Sequence, residues 1–311
     1  MDGIVIKSTG SWHIVREKQG QAYACKMKGQ FRIKGMKTTN PIAIGDKVRF
    51  QLQDREEIGV IDHIYERSNY IIRKATNLSK LSHIIAANLD QAIIIITLAQ
   101  PRTSTGFIDR FLVTAEAYHI PARIIFNKID LYNDNLWKSH NQIKKIYEDI
   151  GYPCFEISVK ENLNIKSVEQ LLQGKVSLFT GHSGVGKSAL INRIESDLNI
   201  KTGHISSTHK KGKHTTTFAE MHALSAGGYI VDTPGIKEFG LIDFKPEEVA
   251  ERFPEIRKFM HECRFNNCTH VHEPGCAVIE AVENEKIYLS RYENYLNILD
   301  DDYFRTKEYK N

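Results

Sequence analysis

At 311 residues, 41% hydrophobic and 26% charged, the chain can form two or three domains with their own cores, and this composition excludes a disordered, collagenous or disulfide-scaffold protein. The net charge is only +4, but residues 1–50 hold ten Lys/Arg against three Asp/Glu (+7), whereas residues 243–311 hold ten against fifteen (−5). The basic N-terminal part is the place to look for a polyanionic partner, and the longest apolar run, Ala92 to Ala99, is too short to cross a bilayer.

No apolar leader follows Met1 (MDGIVIK), so a cytoplasmic address with no membrane partner is expected. Residues 1–67 alternate five short β-like runs (3–7, 12–16, 22–27, 47–52 and 59–65) with turns at Gly10-Ser11, Lys18-Gln19-Gly20 and Ile44-Gly45-Asp46. Five strands in so short a span predict a small closed barrel. An OB-fold leads, and an SH3-like barrel is the alternative that strand counting does not separate.

From about residue 84 the pattern becomes alternating strands (92–97, 123–126, 153–157, 176–179, 229–231) and helices (108–118, 136–150, 165–172, 187–194). Such alternation predicts a parallel sheet covered by helices, with ligands bound at strand ends. Asn127-Lys128-Ile129-Asp130 follows the second of these strands. The Asp130 carboxylate can accept from guanine N1–H and the N2 amine, while Asn127 reads the O6/N7 edge. Adenine has no N2 amine and presents an acceptor at N1, so the carboxylate would be badly paired, which argues for GTP over ATP. Ser158-Val159-Lys160 follows the next strand and is placed to offer a backbone N–H to guanine O6.

The strand 176–179 runs into Gly181-His182-Ser183-Gly184-Val185-Gly186-Lys187-Ser188, and a helix with Ala189 in its first turn comes next. Glycines 181, 184 and 186 let backbone N–H groups face phosphate oxygens at a helix N-terminus. Lys187 then reaches the β- and γ-phosphates, and Ser188 ligates Mg²⁺. Residues 203–217 are polar and basic and carry His214 just before Thr215-Thr216-Thr217. Thr216 is expected to close over the γ-phosphate and complete the Mg²⁺ shell. In Asp232-Thr233-Pro234-Gly235, Asp232 is expected to hold Mg²⁺ through water and the Gly235 N–H to sense the γ-phosphate. The next residue, Ile236, has no group that polarises water. His214 is therefore the candidate to orient or deprotonate the attacking water.

Beyond Asp243, helical segments at 246–252, 277–283 and 288–299 surround Cys263-x4-Cys268-x-His270-x5-Cys276. Three sulfurs and one nitrogen make a closed tetrahedral set, predicting one structural Zn²⁺. His261 and His272 are rival ligands, and spacing alone favours His270 only modestly. Cys25 and Cys154 stand apart and are expected to be small buried hydrophobes.

The motifs are those of a guanine-nucleotide site in rotated order: the base-reading element precedes the phosphate loop instead of following it. That order predicts a circularly permuted Ras-like P-loop GTPase. On NKID, SVK, GHSGVGKS, GKHTTT and DTPG in this order, with Asn88-Leu89-Asp90-Gln91, Ile108-Asp109-Arg110, the barrel and the Cys/His cluster, the chain resembles the small-ribosomal-subunit biogenesis GTPases of the RsgA/YjeQ type. The resemblance covers essentially the whole chain. It implies an OB-fold domain (1–67), a permuted GTPase domain (68–242) and a helical zinc-binding domain (243–311). It also implies slow GTP hydrolysis to GDP stimulated by the 30S subunit, a role in late subunit maturation, His214 as the catalytic residue and His270 as the zinc-ligating histidine. Where the family switch has an arginine this chain has Lys213, which keeps the charge but not a bidentate phosphate contact. With 16S rRNA as partner, Lys26, Lys28, Arg32, Lys34 and Lys37 become the candidate RNA contacts, on or near barrel strands, and the protein is expected to act as a monomer. A switch with a protein effector and an ATPase with a coincidental NKID are the competing readings. The permutation also sets Asp232–Gly235 directly before the C-terminal domain, so GTP is expected to hold the three modules in one arrangement and hydrolysis to release the last.

Overall fold

The computed structural model describes residues 1–28, 41–53, 58–73, 83–198, 220–232 and 246–300. The N-terminal strands are β1 (Asp2–Thr9), β2 (Trp12–Glu17), β3 (Ala22–Met27), β4 (Lys47–Leu52) and β5 (Ile58–Ile64). They run in the order β1-β2-β3-β5-β4, and β4 returns to β1 through Asp2↔Arg49, Gly3↔Val48 and Ile4↔Lys47. The β3–β5 pair is parallel and the others are antiparallel. This closure is the OB-fold, which removes the SH3-like alternative. Alternate residues point inward, so Val5, Val15, Cys25, Val48, Phe50 and Ile61 fill the barrel with no exposure. At Gly59 the wall is so close that a Cβ would lie 2.5 Å from Cys25 Sγ and 2.9 Å from the Phe50 ring.

Buried polar contacts fasten the barrel to the rest of the chain. Arg67 holds Asp46 through Nε at 2.6 Å and Nη2 at 2.7 Å, and Asp46 accepts from the Ala43 N–H. Asn88 accepts from the Ser68 N–H and donates to the Gly45 carbonyl. A hairpin of β6 (Tyr70–Arg73) and β7 (His83–Ala87) comes next. It is not among the strands expected from the sequence pattern, because each run is too short to show a period.

The central sheet contains β8 (Gln91–Ile96), β9 (Ala122–Phe126), β10 (Cys154–Glu156), β11 (Val176–Thr180), β12 (Glu220–Ala223) and β13 (Tyr229–Asp232) in the order β10-β9-β8-β11-β13-β12, parallel except for β12. Every residue of β8 is buried, as a central parallel strand requires. Its side chains divide between the two faces: Ile94 and Ile96 pack with Ile108, Phe111 and Leu112, while Ile93 and Ile95 pack with Phe179, Leu190 and Ile191. The covering helices are α1 (Thr105–Ala117), α2 (Asp134–Ile150), α3 (Ile165–Leu172) and α4 (Lys187–Ile194). Strand β12 also pairs with barrel strand β1 at Lys7↔Glu220, so the barrel and the central sheet share one continuous set of strands.

The C-terminal helices are α5 (Pro246–Ala250), α6 (Pro254–Phe259), α7 (Ala277–Glu283) and α8 (Leu289–Leu299). Their core of Val249, Phe253, Ile256, Val278, Tyr295 and Ile298 also takes in Val113 of α1. Beside it lies a buried ionic network. Arg291 of α8 pairs with Asp109 of α1 at 2.5 Å and with Glu255 of α6 at 2.6 Å, and Asp109 also accepts from Tyr147 and Asn294. Burial works against the Arg291 charge, but the two carboxylates outweigh it and hold the guanidinium protonated. Arg291→Met would strand two carboxylates beside an apolar core. The expected cost is about 3–5 kcal/mol, read as a fall in melting temperature. An unchanged melting temperature would show that the network contributes nothing net.

Candidate functional site

Strand β11 delivers the phosphate loop from the middle of the sheet, between β8, which precedes it in sequence, and β13, which comes after. Gly181 has φ of 142° and its Cβ would lie 2.2 Å from the Ile95 carbonyl oxygen, so no other residue fits there. Gly186, with φ of 103°, is the N-cap just ahead of α4, and a Cβ there would lie 2.3 Å from Asn127 Nδ2. The Lys187 ammonium donates to the Gly181 and His182 carbonyls at 2.6 and 2.9 Å. Burial lowers its pKa and the nearby Asp232 carboxylate opposes that shift. The loop thus brings a cation to a site where backbone N–H groups and a helix N-terminus already favour phosphate.

Asn127–Asp130 follows β9 and Ser158–Lys160 follows β10, and hydrogen bonds join these two segments to each other and to the phosphate loop. Asn127 is buried, donates from Nδ2 to the Val185 carbonyl at 2.8 Å, and accepts from the Val159 N–H at 3.3 Å. One side chain therefore ties the phosphate loop to the Ser158–Lys160 loop. An amide nitrogen carries two hydrogens, and this contact uses one of them. The Val159 N–H is committed to Asn127, a contact that spacing does not reveal. Ser158, fully buried, donates to Asp130 Oδ1 at 2.5 Å and accepts from the Glu161 N–H at 3.1 Å. Its hydroxyl fixes the orientation of the carboxylate. Lys128 sits in the left-handed region (φ 63°) and reaches across to the Gln100 carbonyl at 2.6 Å. Lys160 lies on the exposed side beside Glu161, and Ser188 and Ala189 form the first turn of α4. Asp232 ends β13. His214, Thr216 and Gly235 lie outside the described residues.

The second constellation is in the C-terminal domain. The ligand atoms of Cys263, Cys268, His270 and Cys276 all lie within 4.8 Å of one another, the one such group among the described residues, and neither His261 nor His272 belongs to it. His270 Nδ1 is 3.5 Å from Cys263 Sγ and 3.4 Å from Cys276 Sγ, and those sulfurs are 3.9 Å apart. Tetrahedral zinc with ordinary bond lengths requires about 3.5 Å between nitrogen and sulfur and about 3.8 Å between sulfurs. The donor set therefore fits Zn²⁺ in both chemistry and span. Tyr292 and Tyr295 of α8 donate to the His270 and Thr269 carbonyls, which holds the ligand loop onto that helix. The other two cysteines take no part: Cys25 is buried in the barrel, and Cys154 is only half-buried.

Of the candidate RNA contacts, Lys26 lies on β3 with its ammonium 4.3 Å from the Trp12 ring centre, and Lys28 comes just after that strand. Arg32, Lys34 and Lys37 lie outside the described residues.

Residues 64–242 match the family described as RsgA GTPase, and residues 2–61 match the RsgA N-terminal domain. The chain belongs to the RsgA GTPase family. It is 52% identical over 97% of both chains to small ribosomal subunit biogenesis GTPase RsgA 2 of Bacteroides thetaiotaomicron, and 51% identical to the RsgA of Flavobacterium johnsoniae over 99% of this chain and 96% of that one. Among solved structures it resembles YjeQ from Thermotoga maritima (TM-score 0.77, 35% identity, 96% of each chain). It also resembles YloQ, a circularly permuted GTPase (TM-score 0.76, 29% identity, 98% of this chain and 95% of that one). Like its RsgA relatives this chain is a GTP-hydrolysing enzyme, which implies a guanine nucleotide and Mg²⁺. Among the described residues, no helix is long and apolar enough to cross a membrane.

Sequence reasoning missed three contacts at this site: the Ser158 bond to Asp130, the Asn127 strut and a stack of Phe107 on His182. The serine had a signal, since it opens the loop that faces NKID. The stack had none.

Proposed function

We propose that this RsgA-family chain binds the 30S ribosomal subunit through its 16S rRNA, acts in late maturation of that subunit, and hydrolyses GTP faster when engaged. It does so as a cytoplasmic monomer of three modules, residues 1–67, 68–242 and 243–311. The observation that carries this reading is identity above 50% along nearly the whole length of proteins named for small-subunit biogenesis. The basic charge of residues 1–50 supports it, because a nucleic-acid footprint needs such a surface.

In this reading Asp130 and Asn127 select guanine, with Ser158 holding the carboxylate and the Ser158–Lys160 loop closing over the base. Glycines 181, 184 and 186, with His182, Ser183 and Val185, cradle phosphate oxygens, and Lys187 leaves the carbonyls of its own loop for the β- and γ-phosphates. Ser188, Thr216 and, through water, Asp232 would hold Mg²⁺, which would supply positive charge beside the phosphates. Gly235 reports the γ-phosphate, and His214 positions the attacking water. Cys263, Cys268, His270 and Cys276 hold one structural Zn²⁺.

Hydrolysis measured with and without purified 30S subunits, with 50S subunits as the control, tests the ribosomal reading. Stimulation by 30S alone is expected, and equal rates in all three would overturn it. In the same assay His214→Ala should keep GTP affinity but lose about a hundredfold in single-turnover rate. An unchanged rate would assign the water to another residue. Charge reversal at Lys26, Lys28, Arg32, Lys34 and Lys37 should weaken 30S binding and flatten its salt dependence.

A further inference from the structure

Helix α1 is gripped at two points that belong to different parts of the molecule. Near its N-terminus Phe107 stacks on His182 of the phosphate loop, the ring centres 3.8 Å apart and the planes 26° from parallel. Two residues on, Asp109 is fully buried against Arg291 and Asn294 of α8. Just ahead of Phe107, Gly106 faces Asn294 closely enough that a Cβ would lie 3.4 Å from its Oδ1. A cleft of about 380 Å³ opens along this seam, lined by Ser104, Phe107 and His182 on one side and Asn294 and Asn297 on the other.

His182 is mechanically important in its loop. Its carbonyl accepts from Lys187 Nζ at 2.9 Å, and its backbone continues from Gly181, whose own position is fixed against Ile95. The imidazole in the stack and the carbonyl that holds the lysine thus belong to one residue. Ser104 caps α1 by accepting from the Phe107 N–H, so the ring that meets His182 stands on an ordered first turn.

From this geometry we infer that Phe107 is a positioning residue for the phosphate loop, and that α8 of the C-terminal domain sets its pose through Asp109 and Asn294. The chain of contact runs from Asn294 and Arg291 to Asp109, back two residues along α1 to Phe107, and across the ring stack to His182 and Lys187. Docking of the C-terminal domain and nucleotide affinity are then linked, and each must influence the other. This coupling is separate from any path through residues 233–245. It rests on the reading of Gly181–Ser188 as the phosphate loop.

The test uses full-length protein loaded with a fluorescent GDP or GTP analogue. Phe107→Ala should weaken nucleotide affinity about three- to tenfold, the range expected for loss of a well-stacked aromatic pair, and Phe107→Tyr, which keeps the ring, should restore it. Asn294→Ala lies across the domain boundary from the nucleotide and should weaken affinity in the same direction. In the double variant the two losses should not add, because both act through one contact. A role confined to stability would lower the melting temperature and leave the dissociation constants unchanged. If Phe107→Ala does not fold, His182→Ala removes the same stack from the other side and carries the same expectation. Lys187→Ala is the control on the underlying reading. If it abolishes binding while Phe107→Ala and Asn294→Ala bind normally, the positioning role is wrong; if it too binds normally, the phosphate-loop assignment itself fails.

Discussion

Asp130→Asn should exchange the base preference of the site from guanine to xanthine. In the wild-type protein Ser158 donates its hydroxyl to Asp130 Oδ1, and Ser158 is itself held by the Glu161 N–H. The substituted amide is therefore oriented with its oxygen toward Ser158 and its amino group in the place of Oδ2. A guanine N2 amine then meets a donor where it needs an acceptor, whereas the O2 carbonyl of xanthine meets a donor that suits it. Sites built to hydrogen-bond a particular group discriminate strongly when one partner is left unpaired, so GTP affinity should fall by about a thousandfold. Xanthosine triphosphate should bind the variant within about tenfold of the wild-type affinity for GTP. Competition against a fluorescent guanine nucleotide measures both. A variant that still prefers GTP to XTP would remove Asp130 from base recognition. Wild-type protein that binds ATP as well as GTP would remove the whole NKID element.

How much of this site could be read from the sequence depends on how local its causes are. The phosphate loop, the helix that starts at Lys187 and the strand ahead of it are set by neighbouring residues, and β11 and α4 lie where glycine spacing and apolar pattern place them. The same holds for α3 and α7, whose periodic apolar residues define them at both ends. The OB topology was only half legible: strand count comes from alternation, but the return of β4 to β1 is a contact between residues more than forty positions apart. Strand β12 was invisible for a related reason. It is four residues long and takes its identity from β13 on one edge and β1 on the other.

The polar core was the least legible part. Asp109 sits in Ile108-Asp109-Arg110, where a charged residue on a helix reads as solvent-facing, yet it has no exposure. Its burial is possible only because Arg291, 182 positions later by residue number, arrives with the compensating charge. Asn88 and Gln91 are similar buried cases, and Asp90 between them is exposed but also bonded. Asn88 fastens the barrel, Asp90 accepts from the Val176 N–H at 2.7 Å, and Gln91 donates to the Leu171 carbonyl and to Ser177 Oγ. These residues hold elements together rather than touching a nucleotide, which a motif match alone does not distinguish.

Stripping zinc should cost more than any substitution outside the Cys/His cluster, because that cluster packs against the helix that reaches α1. Cys268 and Cys276 belong to the apolar core that contains Phe253, Val278 and Tyr295, and the Cys276 sulfur caps α7 by accepting from the Ile279 N–H. His270 is in the left-handed region at φ 57°, a conformation a histidine keeps only when its surroundings hold it. Those surroundings are the sulfurs and the hydroxyls of Tyr292 and Tyr295. Structural zinc contributes on the order of 10 kcal/mol to folding of such a module, far more than two tyrosine hydrogen bonds supply. Removal by a strong chelator, or Cys268→Ser, should therefore lower the melting temperature of the C-terminal domain by at least about 10 °C. Intact protein should carry about one zinc per chain by elemental analysis. The loss should also spread. Without its tyrosine anchors α8 no longer presents Arg291 and Asn294 to Asp109, so α1 loosens at the point from which Phe107 meets the phosphate loop. Metal-stripped protein should bind nucleotide less tightly and recover when zinc is restored. Unchanged melting after stripping would show that the four side chains pack without a metal. Altered melting with unchanged nucleotide affinity would keep the zinc module but cut its connection to the GTP site.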